Sequence, residues 1–365
     1  MLRIAFFISP HGFGHAARAS AVMQALQARQ PSLGFEIFTR VPEWFFQDSL
    51  RDGFSYHSLL TDIGMAQRTP MEEDAPETLR RLQAFLPFSN QLLDRLAAEL
   101  QSHNCQLVLS DISPLGIAAA RRAGLPSILL ENFTWDWIYA AYLDEAPGLI
   151  EPMTALRQIF AQADVHIQAE PVCSPQPAVD LVSSPISRPP RTNRDTLRQQ
   201  IGIPAHQKVV LITLGGIEGN VAVSQKLSQV EDLFFIIPGA SPTVERRGNQ
   251  LLLPHHSGFY HPDLLHASNA VVGKPGYSTL AEAYAAGIPF AYLPRPRFRE
   301  YPVLADFIEL HLGGFAISLD DYAQGAWIHH LRALLEAPAR QPNPLNGAAQ
   351  VADFILQTPR YNLPV

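Results

Sequence analysis

The chain opens on a short continuous apolar run, Ile4-Ala5-Phe6-Phe7-Ile8-Ser9, with no polar residue alternating through it. Such a run reads as a strand covered on both faces. An Ala-rich stretch from about Ala16 to Arg29 follows, with Val22 and Leu26 at helical spacing, and then a second strand, Phe35-Glu36-Ile37-Phe38-Thr39. The pattern predicts a strand–loop–helix–strand unit in the first forty residues. It continues with one long helix near Glu77–Ser102, a strand Leu107–Asp111, and a helix Pro114–Ala123 stopped by Gly124. Strand Ser127–Leu130 comes next, and His166–Gln168 ends this half.

The rhythm then breaks. Ser183-Ser184-Pro185-Ile186-Ser187-Arg188-Pro189-Pro190-Arg191 is polar, proline-rich and aperiodic, which marks a linker over 183–196. Beyond it, strands are predicted at Val209–Leu214, Leu233–Ile237, Leu251–Leu253, Ala270–Gly273, Phe290–Leu293 and Gly314–Ile317. A last helix near Ala348–Leu356 is free to pack back on the first half. Alternating short strands and helices imply parallel sheets. The expected fold class is α/β, with two Rossmann-like domains at 1–182 and 197–345 and a C-terminal helix and tail at 346–365.

Composition narrows this picture. Two halves suit 365 residues, since single cores rarely grow past about 250–300. The net charge of −7 lacks the basic footprint of a nucleic-acid binder. Two cysteines, Cys105 and Cys173, exclude a disulfide scaffold and a Cys-rich zinc module, and suit a reducing compartment. No stretch approaches the roughly 18 apolar residues of a membrane span. The N-terminal apolar run is too short for a signal sequence. A cytoplasmic location is expected, with peripheral membrane contact left open.

In open parallel sheets, ligands sit beyond the C-terminal strand ends. Three motifs map there. In Ser9-Pro10-His11-Gly12-Phe13-Gly14-His15, Gly12 and Gly14 allow close backbone approach, and a helix start follows. Arg18 stands where a dinucleotide fingerprint has its third glycine, and no Gly-Lys-Ser/Thr phosphate loop is present, so NAD and ATP are disfavoured. His15, and with it His11, is a candidate general base; the alternative is a helix cap or simple packing. Asp111, at another strand end, is placed to orient a histidine; the alternative is the cap of the helix at Pro114.

In the third motif, Gly273-Lys274-Pro275-Gly276-Tyr277-Ser278-Thr279-Leu280-Ala281-Glu282, the backbone at Gly276 and Tyr277 and the hydroxyls of Ser278 and Thr279 suit a diphosphate. Glu282 suits the two hydroxyls of a ribose. The alternative is a capping box. Gly215-Gly216, at the end of the first strand of the same half, is expected to touch the same phosphates. Glu131-Asn132-Phe133-Thr134-Trp135-Asp136-Trp137 is either a sugar-stacking patch or a packed lid. The charged loop Arg295, Arg297, Arg299, Glu300 is either a solvated turn or a ligand clamp.

These residues, in this order, resemble the GT-B glycosyltransferase superfamily. Pro275–Glu282 followed by Ala286-Gly287-Ile288-Pro289 is similar to the nucleotide-sugar site of UDP-sugar transferases. Gly14-His15 resembles the first-loop Gly-His of the N-acetylglucosaminyltransferase of peptidoglycan precursor synthesis. A nearer resemblance is to the glycosyltransferase-like N-terminal region of plant L-arabinokinases and its bacterial stand-alone relatives. It is carried by His11–Arg18, Ser110-Asp111, Asn132–Tyr139 and Gly273–Tyr277. The kinase half of those proteins is missing here, so sugar phosphorylation is not expected.

The resemblance implies two domains facing a central cleft, with the acceptor on the first half and a UDP-sugar donor on the second. His15, polarised by Asp111, would be the base of an inverting hexosyl- or N-acetylhexosaminyl-transferase. Donor contacts would come from Gly14, Gly215, Gly216, Gly276, Tyr277, Ser278, Thr279 and Glu282. Further sugar or acceptor contacts would come from His11, Asn132, Trp135, Asp136 and Glu300. The partners are a nucleotide-sugar donor and a hydroxyl acceptor, with no cofactor and no metal. A non-catalytic nucleotide-sugar sensor and a nucleotide-sugar epimerase using Glu131 and Glu300 are the alternatives.

Overall fold

The computed structural model describes the chain except residues 1, 51, 70, 214–224, 337–340, 344 and 359–365. It divides into two compact units. Unit 1 comprises Met1–Arg188, Arg297–Glu300 and Leu345–Val365; unit 2 comprises Pro189–Pro296 and Tyr301–Pro344.

Unit 1 is built on seven strands: β1 (Arg3–Ile8), β2 (Gly34–Thr39), β3 (Phe54–Ser58), β6 (Cys105–Asp111), β7 (Ser127–Glu131), β8 (Val165–Ala169) and β9 (Leu181–Ser183). A small hairpin of β4 (Gln67–Thr69) and β5 (Glu72–Glu73) stands apart. The sheet order is β3-β2-β1-β6-β7-β8-β9, and every pairing is parallel. The order reverses between β1 and β6, so a crevice opens at their C-terminal ends. Ile8 and Asp111 are paired there.

The helices of unit 1 are α1 (Gly14–Arg29), α2 (Glu43–Ser49), α3 (Ala75–Phe85), α4 (Asn90–Ser102), α5 (Pro114–Ala123), α6 (Trp135–Tyr139) and α7 (Ile150–Phe160). The long helix expected over 77–102 is in fact α3 and α4. Pro87 separates them, because a proline excludes the helical conformation at the residue before it. Ser89 then restarts the chain by accepting a hydrogen bond from the Leu92 amide.

The stretch expected to be a linker is docked at its start. Ile186, Ser187 and Arg188 are buried. Asn346 donates to the Ser187 carbonyl at 2.8 Å, and the Arg188 guanidinium lies 4.8 Å over the Phe45 ring. The C-terminal helix Gly347–Gln357 lies against α1, with Arg29 Nη2 donating to Asp353 Oδ2 at 3.0 Å.

Unit 2 carries β10 (Lys208–Thr213), β11 (Leu233–Pro238), β12 (Glu245–Arg247), β13 (Gln250–Leu253), β14 (Ala270–Gly273) and β15 (Phe290–Tyr292). Their order is β12-β13-β11-β10-β14-β15, parallel except for the β12–β13 pair. Alternate residues of β10 enter two separate cores: Val209 and Leu211 face one, Val210 and Ile212 the other. Double coverage is why Val209–Ile212 is an unbroken apolar run. Gly314–Ile317 does not form the expected strand; only an isolated bridge joins Tyr292 to Ala316. The order reverses between β10 and β14, where Thr213 pairs with Gly273. Gly273 is required there, since a Cβ would stand 2.1 Å from the Thr213 carbonyl oxygen. No helix among the described residues is long and apolar enough to cross a membrane.

Candidate active site

At the unit 1 crevice, the β1–α1 loop turns at Gly12, whose φ of +72° falls in the left-handed region that glycine tolerates. The loop delivers His15 into the first turn of α1. The N-cap is Phe13, without a side-chain bond, so neither His11 nor His15 caps the helix. Opposite, β6 ends at Asp111. Ile112, a β-branched residue, then takes a φ of +47° and is fully buried. Strain of this kind costs about 1–3 kcal/mol and is kept where the fold over-determines it. Here the Ile112 amide donates to Leu130 and the Ser9 amide to the Asp111 carbonyl. Asp111 does not cap α5; Ser113 does, accepting from the Gly116 amide.

His15 Nδ1 lies 2.8 Å from Asp111 Oδ1. An ionised Asp111 can only accept, so it selects the tautomer protonated at Nδ1 and leaves Nε2 as the basic nitrogen. Arg18, one helical turn on, forks onto the same carboxylate, with Nη2 to Oδ1 at 2.6 Å and Nε to Oδ2 at 2.9 Å. Complete burial of Asp111 works to raise its carboxyl. The Arg18 guanidinium, through charge and hydrogen bonds, and then His15 outweigh that and hold it below the usual carboxylate range.

The chain of bonds continues. Arg18 Nη1 donates to Asn132 Oδ1 at 2.6 Å, and Asn132 Nδ2 to Glu300 Oε1 at 2.7 Å. The bonds thus run from His15 through Asp111, Arg18 and Asn132 to Glu300.

A second carboxyl lies beside the first. Asp62, in the loop after β3, accepts from Ser9 Oγ at 3.1 Å and from Trp135 Nε1 at 3.2 Å. Burial pushes it up to about 7, against the lowering effect of those bonds and with a further upward push from Asp111.

The aromatic run is packed rather than open. Trp135 is 1% exposed. Its ring stacks on Tyr139 and meets His11 edge-on at 5.1 Å. The Trp135 indole therefore supports His11 and Asp62 instead of presenting a face to a sugar. Asp136 pairs with Arg157 at 3.3 Å. The segment Arg297–Glu300 is docked on unit 1: Phe298 lies against Phe133 and His11, and Arg299 stacks 4.2 Å over Trp137. Glu131 is committed to His166 and Gln168, both at 2.7 Å, which leaves an epimerase little to work with there.

In unit 2, β14 runs through Gly276 into the helix Tyr277–Ala286. Gly276 is its N-cap, with no side-chain bond, so Ser278 and Thr279 do not form a capping box. Both lie half-buried in the first turn, and Tyr277 is buried. Glu282, also buried, takes His261 Nδ1 at 3.0 Å on Oε2. Gly215 and Gly216 lie outside the described residues.

Arg18, Asp62 and His261 escaped the sequence analysis. Only Arg18 carried a usable signal, its three-residue spacing from His15 on one helix face.

No family model matches the chain. The solved structure of a UDP-glucosyltransferase from Polygonum tinctorium superposes with a TM-score of 0.64, covering 99% of each chain at 12% identity. The chain has the GT-B fold. Among curated proteins, this GT-B chain is 27% identical over 362 residues to L-arabinokinase of Arabidopsis thaliana, covering 98% of the chain and 34% of that protein. It is 26% identical over 268 residues to the UDP-N-acetylglucosamine--N-acetylmuramyl-(pentapeptide) pyrophosphoryl-undecaprenol N-acetylglucosamine transferase of Clavibacter michiganensis subsp. michiganensis, covering 65% of the chain and 66% of that enzyme. The GT-B chain thus spans about a third of the first relative and just under two thirds of the second.

Proposed function

We propose that this chain is an inverting glycosyltransferase that moves a hexosyl or N-acetylhexosaminyl group from a UDP-sugar to a hydroxyl acceptor. The observation that carries this is the His15–Asp111 pair at 2.8 Å, at the point where the strand order of unit 1 reverses. His15 Nε2 takes the acceptor hydroxyl proton as the oxygen attacks the anomeric carbon. The bond from that carbon to the diphosphate breaks, and UDP departs with the electron pair. A single displacement inverts the anomeric centre. Asp111 holds the imidazole and stabilises the imidazolium, and Arg18 holds Asp111.

On unit 2, the helix start at Tyr277 and the hydroxyls of Ser278 and Thr279 take the diphosphate, and Glu282 takes the ribose. Gly14 and Gly276 let the backbone approach the phosphates, with Gly215 and Gly216 as further donor contacts in this reading. No metal is needed when amide and hydroxyl donors carry the leaving-group charge. His11, Asn132 and Glu300 border the acceptor. The relatives named as sugar transferases, and the curated UDP-N-acetylglucosamine enzyme in particular, support this choice of donor.

The test is a panel of UDP-sugars with hydroxyl acceptors, read as UDP released and as glycosylated product. His15→Ala should keep UDP affinity and lose about 10²–10⁴-fold in transfer. Transfer at wild-type speed in His15→Ala, or an absence of UDP binding in the wild type, would overturn the assignment.

A further inference from the structure

A second polar cluster lies in unit 1, at the β2–β3 edge of the sheet. Glu36, in the middle of β2, is wholly buried. It pairs with Ala5 on one side and Ser55 on the other. His57, on β3, stacks flat on Phe38, with ring centroids 4.4 Å apart. Its Nε2 lies 2.7 Å from Glu36 Oε2. His103, just beyond α4, brings Nδ1 to 3.8 Å from Glu36 Oε1. One atom from each of the three side chains falls within 4.8 Å of the others.

A second observation concerns the far side of His57. Its Nδ1 lies 3.1 Å from Glu99 Oε1, on the last turns of α4. One ring nitrogen faces the cluster and the other is held by a carboxylate. That is how a metal-bound imidazole is oriented, the outer N–H fixing tautomer and ring plane.

We propose that Glu36, His57 and His103 form a site for a zinc-type divalent ion, oriented by Glu99. Two imidazoles and a carboxylate suit Zn²⁺ and its late transition-metal neighbours, and not Ca²⁺ or Mg²⁺, which prefer oxygen alone. With bonds of about 2.0–2.2 Å, tetrahedral donors stand about 3.3 Å apart. Glu36 and His57 need only part slightly, and His103 must swing inward. The His103 side chain is 35% exposed and has room to do so. Water would complete the coordination from the solvent side.

In the ion-free protein, Arg3 supplies the positive charge, pairing with Glu36 and donating to Ser55 Oγ at 3.2 Å. Its side chain is 30% exposed, so an arriving cation displaces it toward water. The bound ion would clamp β2 and β3 to the end of α4. Its role is structural, and it is independent of the transferase assignment.

The experiment uses chelator-stripped protein titrated with ZnCl₂ by calorimetry, alongside Co²⁺ absorption and thermal melting. The expected result is one site of micromolar affinity, a raised melting temperature for unit 1 and a tetrahedral Co²⁺ spectrum. His103→Ala should weaken binding at least about tenfold. Arg3→Gln should tighten it, by removing the competing cation. Equal affinity in wild type and His103→Ala would place the ion elsewhere and overturn the proposal. So would the absence of saturable one-to-one binding in the wild type, a readout that needs no variant to fold.

Discussion

Replacing Arg18 with Met tests the polar chain at its most buried link. The guanidinium is 1% exposed and makes two bonds to Asp111 and one to Asn132. Met fills a similar volume, so the loss is electrostatic. Removing one partner of a buried pair costs about 3–5 kcal/mol, because the other charge stays buried without compensation. Against total stabilities of about 5–15 kcal/mol, that is a large share.

The pH dependence gives the sign. In the wild type the Asp111 carboxyl lies below its unfolded value. Its contribution is complete at neutral pH and is lost only as pH falls through the folded value, below about 4. Without Arg18, burial dominates and the carboxyl rises. Its penalty is then greatest at neutral pH and shrinks on acidification, so between pH 8 and 5 the variant should gain stability relative to wild type. Urea unfolding followed by tryptophan fluorescence measures this, fitted to the unit 1 transition, since two units need not unfold together. Arg18→Met with Asp111→Asn should recover most of the loss. A single variant within about 1 kcal/mol of wild type at pH 7.5, or a double variant no better than the single, would refute the reasoning.

Three further outcomes are expected. Asp62→Asn should abolish a slope in stability: with its folded value raised to about 7, the wild type weakens as pH climbs from about 4 to 7, so the variant should match it near pH 4 and exceed it by up to about 4 kcal/mol at pH 8 in urea titrations. Gly273→Ala should cost unit 2 about 3 kcal/mol or more, or prevent its folding, because the new methyl meets the Thr213 carbonyl; circular dichroism melting checks this. Glu282→Ala should weaken UDP binding by about 1.5–3 kcal/mol in calorimetry, and His261→Ala by less, since His261 only holds the carboxylate.

The strands were legible because both faces of each sheet are covered, which writes them as unbroken apolar runs; β1 and β10 are the clear cases. The nearness of His15 and Asp111 has a topological reason: His15 opens the helix that follows β1, Asp111 ends β6, and β1 and β6 are neighbours. What escaped was set by tertiary contact. Asp62 sits in a loop without a motif, and only its burial beside Ser9 and Trp135 makes it notable. Arg18 read as a missing glycine, because its spacing from His15 does not reveal the distant carboxylate that it forks onto. Pro87 was overlooked within a helical period that runs through it. Trp135 and Asp136 matched a ligand-facing pattern, yet they serve Asp62 and Arg157.

The tetrapeptide Arg297–Glu300 has a consequence for biosynthesis. Its last residue is made 112 residues after Arg188, where the first stretch of unit 1 ends. At about 5–20 residues per second, the nascent first half waits roughly 6–22 s before Phe298 and Glu300 emerge. Until then the Phe133–His11 surface has no cover and Asn132 lacks its carboxylate partner. For the same reason, a fragment ending at Arg188 would carry His15 and Asp111 but lack the cover over Phe133 and the carboxylate bonded to Asn132.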